Sequence, residues 1–143
     1  TVKCFRLEFP ETLSDVHFIK LTLSENDRIL SENFYWRGLE EGNLRALKNL
    51  PKVSLTTKTK SQKDGDQWKL TTTLVNESET PCLMVRLKVT GNKSGERILP
   101  VFFSDNYISL MPGQTRTITM TLKNQDTRGE KPCVALSGFN YDE

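Results

Sequence analysis

The sequence predicts an all-β chain organised as an antiparallel sandwich. Three features carry that expectation. Apolar and polar residues alternate with the period of a half-buried strand, as in "LMVRLKVT" (83–90) and "TRTITMTL" (115–122). Threonine, β-branched and polar, fills the positions expected to face solvent. Turn-forming clusters separate the runs: "SEND" (24–27), "KDGD" (63–66), "NESETP" (76–81), "GNKSGE" (91–96), "MPGQ" (111–114) and "NQDTRG" (124–129).

The first strands expected are "KCFRLEF" (3–9), "HFIKLTL" (17–23) and "RILSENFYW" (28–36). "GLEEGNLRALKNLP" (38–51) then breaks the pattern, with Leu39, Leu44, Leu47 and Leu50 at roughly helical spacing and Pro51 as the stop. It is too short for an independent helix, so it reads as a linker with a helical turn whose leucines dock on a neighbouring sheet.

Seven strands follow: "VSLTTKTK" (53–60), "WKLTTTLV" (68–75), 83–90, "RILPVFF" (97–103), "NYISL" (106–110), 115–122 and "CVALSGF" (133–139). Within 83–90, Leu83, Val85, Leu87 and Val89 point to the core and Met84, Arg86, Lys88 and Thr90 away from it. Ile118, Met120 and Leu122 do the same against Thr117, Thr119 and Thr121, and the threonines of 53–60 and 68–75 are placed on the wet side. Pro100 sends its run to a sheet edge or a bulge, because proline cannot donate to a ladder. In "MPGQ", proline presets φ and glycine supplies the positive φ that a type II turn needs.

Seven strands suffice for an immunoglobulin-like sandwich, whereas three rarely close a core. The expected organisation is therefore 1–37 as the C-terminal strands of a preceding immunoglobulin-like domain, 38–51 as linker, and 52–143 as a complete sandwich. The abrupt start inside "VKCFRLEF" suggests a piece of a longer protein.

Composition narrows the functional classes. Twenty basic residues nearly cancel 18 acidic ones, giving a net charge of +2, against the basic excess typical of nucleic-acid binders. The densest basic stretch, Lys58 to Lys69, is interrupted by Asp64 and Asp66 and reads as a solvated strand end and turn. No run approaches the ~18 apolar residues of a membrane span. Cys4, Cys82 and Cys133 are sparse and odd in number, with no metal-ligand spacing, so they read as buried free thiols, with one pair able to close in an oxidising compartment.

Chemistry-bearing constellations are sparse. His17 is the single histidine and reads as a packed or solvated strand residue. The pairs Glu40/Glu41 and Asp64/Asp66 lack the apolar surroundings that tune glycosidase carboxylates. No catalytic residue, metal site or cofactor site is expected. Exposed aromatic rings could stack on sugars: Tyr35, Trp36, Trp68, Tyr107 and Tyr141 are the candidates, Tyr35, Trp36 and Tyr107 first among them, with core or interface packing as the competing role. Two N-glycosylation sequons, Asn76-Glu-Ser and Asn92-Lys-Ser, fall in turns.

One motif recurs. "SENFYWRG" (31–38) is echoed by "SDNYISLMPG" (104–113), and each follows an "RIL" run. The expected common geometry is a return strand ending in an asparagine that satisfies backbone groups where the ladder stops.

These residues carry a family resemblance. "LTLSENDRILSENFYWRG", the linker ending "LKNLPKVSL", and the segments "TTTLVNESETPCLMVRLKV", "ERILPVFFSDNYISLMPGQTRTITM" and "KPCVALSGFN" resemble the junction of the last two sandwich domains of glycoside hydrolase family 2 enzymes. The resemblance is to the β-mannosidase and exo-β-glucosaminidase type, and covers nearly the whole chain. It implies a non-catalytic C-terminal accessory domain of a retaining exo-glycosidase acting on β-mannosides or β-glucosaminides. The catalytic glutamates of that family lie on a (β/α)₈ barrel, which has no counterpart here. The implied partners are the other domains of the parent enzyme and, at Tyr35, Trp36 or Tyr107, carbohydrate. A bacterial parent would be periplasmic or secreted. Ile108 and Phe103 stand where the family would bring more aromatic residues. Two other roles compete, an independent carbohydrate-binding module and a cell-surface sandwich with a protein partner.

Overall fold

The computed structural model describes residues 6–26 and 28–143. They fall into two compact units that divide between Leu50 and Pro51. Strands are antiparallel throughout, with two short turns of 3-10 helix.

In the first unit β1 (Val16–Glu25) and β2 (Arg28–Gly38) form a ribbon, with Phe18 opposite Trp36 and Lys20 opposite Phe34. Side chains alternate across a strand, so Phe18, Phe34 and Trp36 share one face. Phe18 stacks on Phe34 at 5.4 Å between centroids and meets Trp36 edge-on at 5.9 Å. Beside them Lys20 bridges to Glu32 at 2.6 Å. The other face carries Ile19, Leu21, Leu23 and Tyr35, so both faces are apolar. Leu39 N–H donates to Asp15 C=O and closes the end of the ribbon. Gly38 is required there, because a Cβ would strike the carbonyl oxygens of Asn43 and Glu40. The expected helical turn is a 3-10 turn at Arg45–Asn49, in which Leu47 is buried while Leu39 is exposed. Of the strand expected at 3–9, residues 6–9 are not strand, and both Leu7 and Phe9 are exposed; the remainder, with Cys4, lies outside the described residues.

The second unit is a two-sheet sandwich. One sheet runs β3 (Thr56–Asp64), β4 (Gln67–Val75), β8 (Thr115–Lys123), β6 (Phe102–Phe103); the other runs β7 (Ile108–Leu110), β5 (Cys82–Gly91), β9 (Pro132–Ser137). Leu70 and Leu74 of β4 and Ile118, Met120 and Leu122 of β8 form one half of the core. Val85, Leu87 and Val89 of β5, with Ile108 and Leu110 of β7, form the other. Val53, Leu55 and Ile98 close its margins.

Several boundaries differ from the sequence expectation, each for a local reason. Val53 bridges to Tyr141, so β3 begins at Thr56 and instead extends along the lysine-rich segment to the turn at Gly65, whose φ is +54°. Thr72 faces inward and is buried, its hydroxyl 2.9 Å from that of Thr59. The run with Pro100 shrinks to a two-residue strand at a sheet edge. In "MPGQ", Gln114 N–H donates to Met111 C=O and Gly113 has φ +73°, as the turn requires. Cys82 is a buried free thiol, pushed up to about 11 by burial, but Cys133 is free and exposed because it lies on the outer face of β9. Cys133 stands opposite Thr90, eight residues along β5 from Cys82. That is ~26 Å of strand, far beyond disulfide reach.

The turn after β5 is held from a distance. Glu130 Oε2 accepts the N–H groups of Lys93 (2.9 Å) and Ser94 (3.1 Å). The Ser94 bond, then that of Lys93, lowers the Glu130 carboxyl below its ordinary value of 4.5. Its stabilising effect is therefore present above that value and fades as pH falls through the lowered one. Glu130→Gln should lower the melting temperature at neutral pH, and the gap from the parent should narrow in acid scans. Leu87→Ala, which empties a position 1% exposed at the centre of the core, should cost about 2–5 kcal/mol in chemical denaturation.

Candidate functional site

Tyr35 and Trp36 are consecutive residues of β2, so they project from opposite faces of the ribbon and cannot line one sugar platform. Tyr35 is 47% exposed, whereas Trp36 is half-buried against Phe18. Tyr107 lies in the other unit, 53% exposed, with φ +55° and the Arg86 guanidinium 5.6 Å from its ring centre. By exposure it is the most accessible of the three rings, with the Arg86 guanidinium lying over one face. Ile108 faces the core and Phe103 packs against it, so neither belongs to an outer aromatic surface.

His17 meets Phe9 edge-on at 5.5 Å, and its Nδ1 is buried without a hydrogen-bond partner among the described residues. Glu40, Glu41, Asp64 and Asp66 are exposed. Among the described residues no cluster of His, Cys, Asp and Glu could hold a metal ion. An open groove in the first unit is lined by Asp15, Leu39, Glu40, Asn43, Arg45 and Lys48, without a histidine, cysteine or serine to act as nucleophile.

The polar side chains that organise the second unit are three asparagines. Asn76 is wholly buried; its Nδ2 donates to the carbonyls of Thr80 (2.9 Å) and Leu110 (3.0 Å), and its Oδ1 accepts from the N–H and hydroxyl of Ser78. Its main chain exchanges bonds with Gly113 and Gln114 of the proline–glycine turn. Asn106 Oδ1 accepts Leu87 N–H at 2.8 Å and its Nδ2 donates to Leu87 C=O at 3.1 Å, imitating a ladder residue just before β7 begins. Asn140, 2% exposed, accepts Leu83 N–H at 2.9 Å and donates to the carbonyls of Pro51 and Pro81.

The sequence identified a strand-end role for Asn106 but extended it to Asn33, which sits exposed in mid-strand opposite Leu21. The two echoed motifs thus occupy different structural positions. Asn76 was visible as part of a sequon and Asn140 as part of the closing "SGFN"; neither pattern discloses the distant carbonyls they bind.

The model of the exo-beta-D-glucosaminidase Ig-fold domain family matches residues 33–141. The chain belongs to this glycoside hydrolase family 2 domain family. The chain is 27% identical to the exo-beta-D-glucosaminidase of Streptomyces avermitilis, over 92% of its own length and 17% of that protein's. With the enzyme of Amycolatopsis orientalis the identity is 30%, over 90% and 14% respectively. A mannosylglycoprotein endo-beta-mannosidase of Lilium longiflorum shares 47% identity over 33% of the chain. The crystal structure of Amycolatopsis orientalis exo-chitosanase CsxA superposes with a TM-score of 0.82 at 28% identity, covering 92% of this chain and 18% of that one. The chain therefore spans about a sixth of the length of such relatives.

Asn140→Asp tests the staple with almost no change of shape. The carboxylate still accepts from Leu83 but turns an oxygen toward two carbonyl oxygens. A loss of at least about 1–3 kcal/mol is expected from equilibrium denaturation.

Proposed function

We propose that the chain is a non-catalytic accessory β-sandwich of a retaining exo-glycosidase whose substrate is a β-linked glucosaminide. The observation that carries this reading is the match of the Ig-fold domain family over residues 33–141. A retaining glycosidase needs two carboxyl groups about 5–5.5 Å apart in a shaped cleft. The open groove of the first unit is lined by Asp15 and Glu40, and Glu40 is exposed, unlike the desolvated carboxyl groups that such catalysis tunes. A β-mannoside is the second reading, favoured by the short lily β-mannosidase match.

In this proposal residues 1–37 supply the last strands of a preceding immunoglobulin-like domain, 38–51 link the two, and 52–143 form the complete sandwich. The apolar residues on both faces of the β1–β2 ribbon support it, because a two-stranded ribbon alone is at best marginally stable and its rings need cover. The partners are the other domains of the parent enzyme. Contact with carbohydrate would centre on Tyr107.

The purified chain should release no aryl alcohol from aryl β-D-glucosaminide, while the parent enzyme carrying it turns the same substrate over. Turnover by the chain alone, abolished by substituting one of its own carboxylates, would overturn the accessory role.

A further inference from the structure

The two sequons are alike on paper and opposite in the fold. Asn76 has no free valence for a sugar. Both hydrogens of its Nδ2 are already donated, to Thr80 and Leu110, and the side chain is wholly buried. A glycan replaces one of those hydrogens, so it would break a core hydrogen bond and force a bulky polar chain between the sheets. The Asn-Glu-Ser sequence has a different purpose there. Ser78 bonds back to Asn76 Oδ1 through both N–H and hydroxyl, shaping the turn between β4 and β5.

Asn92 presents the reverse geometry. It is exposed in the turn that follows β5, and its carboxamide makes no hydrogen bond among the described residues. Its main chain is fixed, with Asn92 N–H donating to Lys131 C=O at 3.0 Å. Gly95 N–H donates to Gly91 C=O, and Glu130 clamps the N–H groups of Lys93 and Ser94. The turn is thus braced by its backbone while residues 92–97 remain at the surface. Neither Lys93 nor Gly95 is proline, so nothing local blocks the acceptor sequence.

We infer that Asn92 is the N-glycan acceptor of this domain and that Asn76 is a sequon closed by folding. The donor class is a lipid-linked oligosaccharide diphosphate. A bond forms between Asn92 Nδ2 and the anomeric carbon, the bond from that carbon to the diphosphate oxygen breaks, and the lipid diphosphate leaves as the amide loses a proton. Chains glycosylated at Asn76 before folding cannot make the two native Nδ2 bonds together, and are removed as misfolded. The inference is independent of the glycosidase reading.

The test is secretion of the protein through a yeast host, followed by endoglycosidase treatment and peptide mapping. The secreted, monomeric protein is expected to carry one glycan, at Asn92. Asn92→Gln should remove the mobility shift with unchanged secretion. Ser78→Ala, which deletes the other sequon yet keeps the Asn76 carboxamide, should leave the shift intact. A glycan mapped to Asn76 in monomeric protein, or an unmodified Asn92, overturns the assignment.

Discussion

The sandwich depends on the completion of backbone hydrogen bonds where its strands stop short inside the fold. A buried carbonyl or N–H without a partner costs about 1–3 kcal/mol, comparable with a substantial core truncation. β5 occupies the centre of its sheet, yet β7 pairs with it at only two positions and is interrupted by a bulge. The groups left over are taken by side chains: Leu87 by Asn106, Leu83 by Asn140, and Leu110 by Asn76. A carboxamide suits this task because it carries donor and acceptor side by side, like a peptide group. With those groups satisfied, the leucines and valines of β5 can sit in a dry core.

Edges are managed by sequence chemistry. β3, at the rim of the larger sheet, is exposed along its length and carries Lys58, Lys60 and Lys63, which discourages pairing with another chain. At the opposite rim, the Pro100 segment leaves only a two-residue strand. The basic stretch that resembles a phosphate track is thus an edge strand, its charge spread along a solvated ribbon. The same physics does not protect the β1–β2 ribbon, where Leu23, Ile29, Leu30 and Tyr35 are exposed. Such a surface fits a fragment whose covering elements belong to a longer chain, which is the arrangement proposed for residues 1–37.

Much of this architecture was legible before any coordinates. In β8, and in β5 from Val85 onward, the alternation is regular and the apolar residues named for the core are buried in it, because one face of each strand meets the other sheet; before the bulge at Met84 it is Cys82 that joins the core, while Leu83 is buried outside it. The proline–glycine turn was legible because its geometry is local. Legibility failed where a distant partner decides the outcome. Thr72 looks like a solvent-side threonine until Thr59 is placed beside it, and Val53 looks like a strand start until Tyr141 arrives. Cys133 sits in an apolar run but on its outward side. The asparagines were the hardest: each has a partner at least 19 residues away, the farthest at 89, and in sequence they are indistinguishable from ordinary turn residues. For the candidate site, the family was readable from extended stretches such as "ILPVFFSDNYISLMPGQ", while the opposed orientations of Tyr35 and Trp36 follow from strand pleat alone.

The Asn140 staple also sets an order of events during synthesis. Pro51 emerges first, Pro81 and Leu83 later, and the residue that joins all three comes 89 positions after Pro51. Val53 likewise waits for Asn140 and Asp142 to complete its main-chain bonds. The β3–β4 hairpin can form on the ribosome, but its base cannot be locked until the closing segment has cleared the exit tunnel. A nascent chain stalled before that point would hold its two sheets without a latch, exposed to chaperones and proteases. The second unit is therefore latched late, since Asn140 secures the segment at Pro51 with which that unit opens.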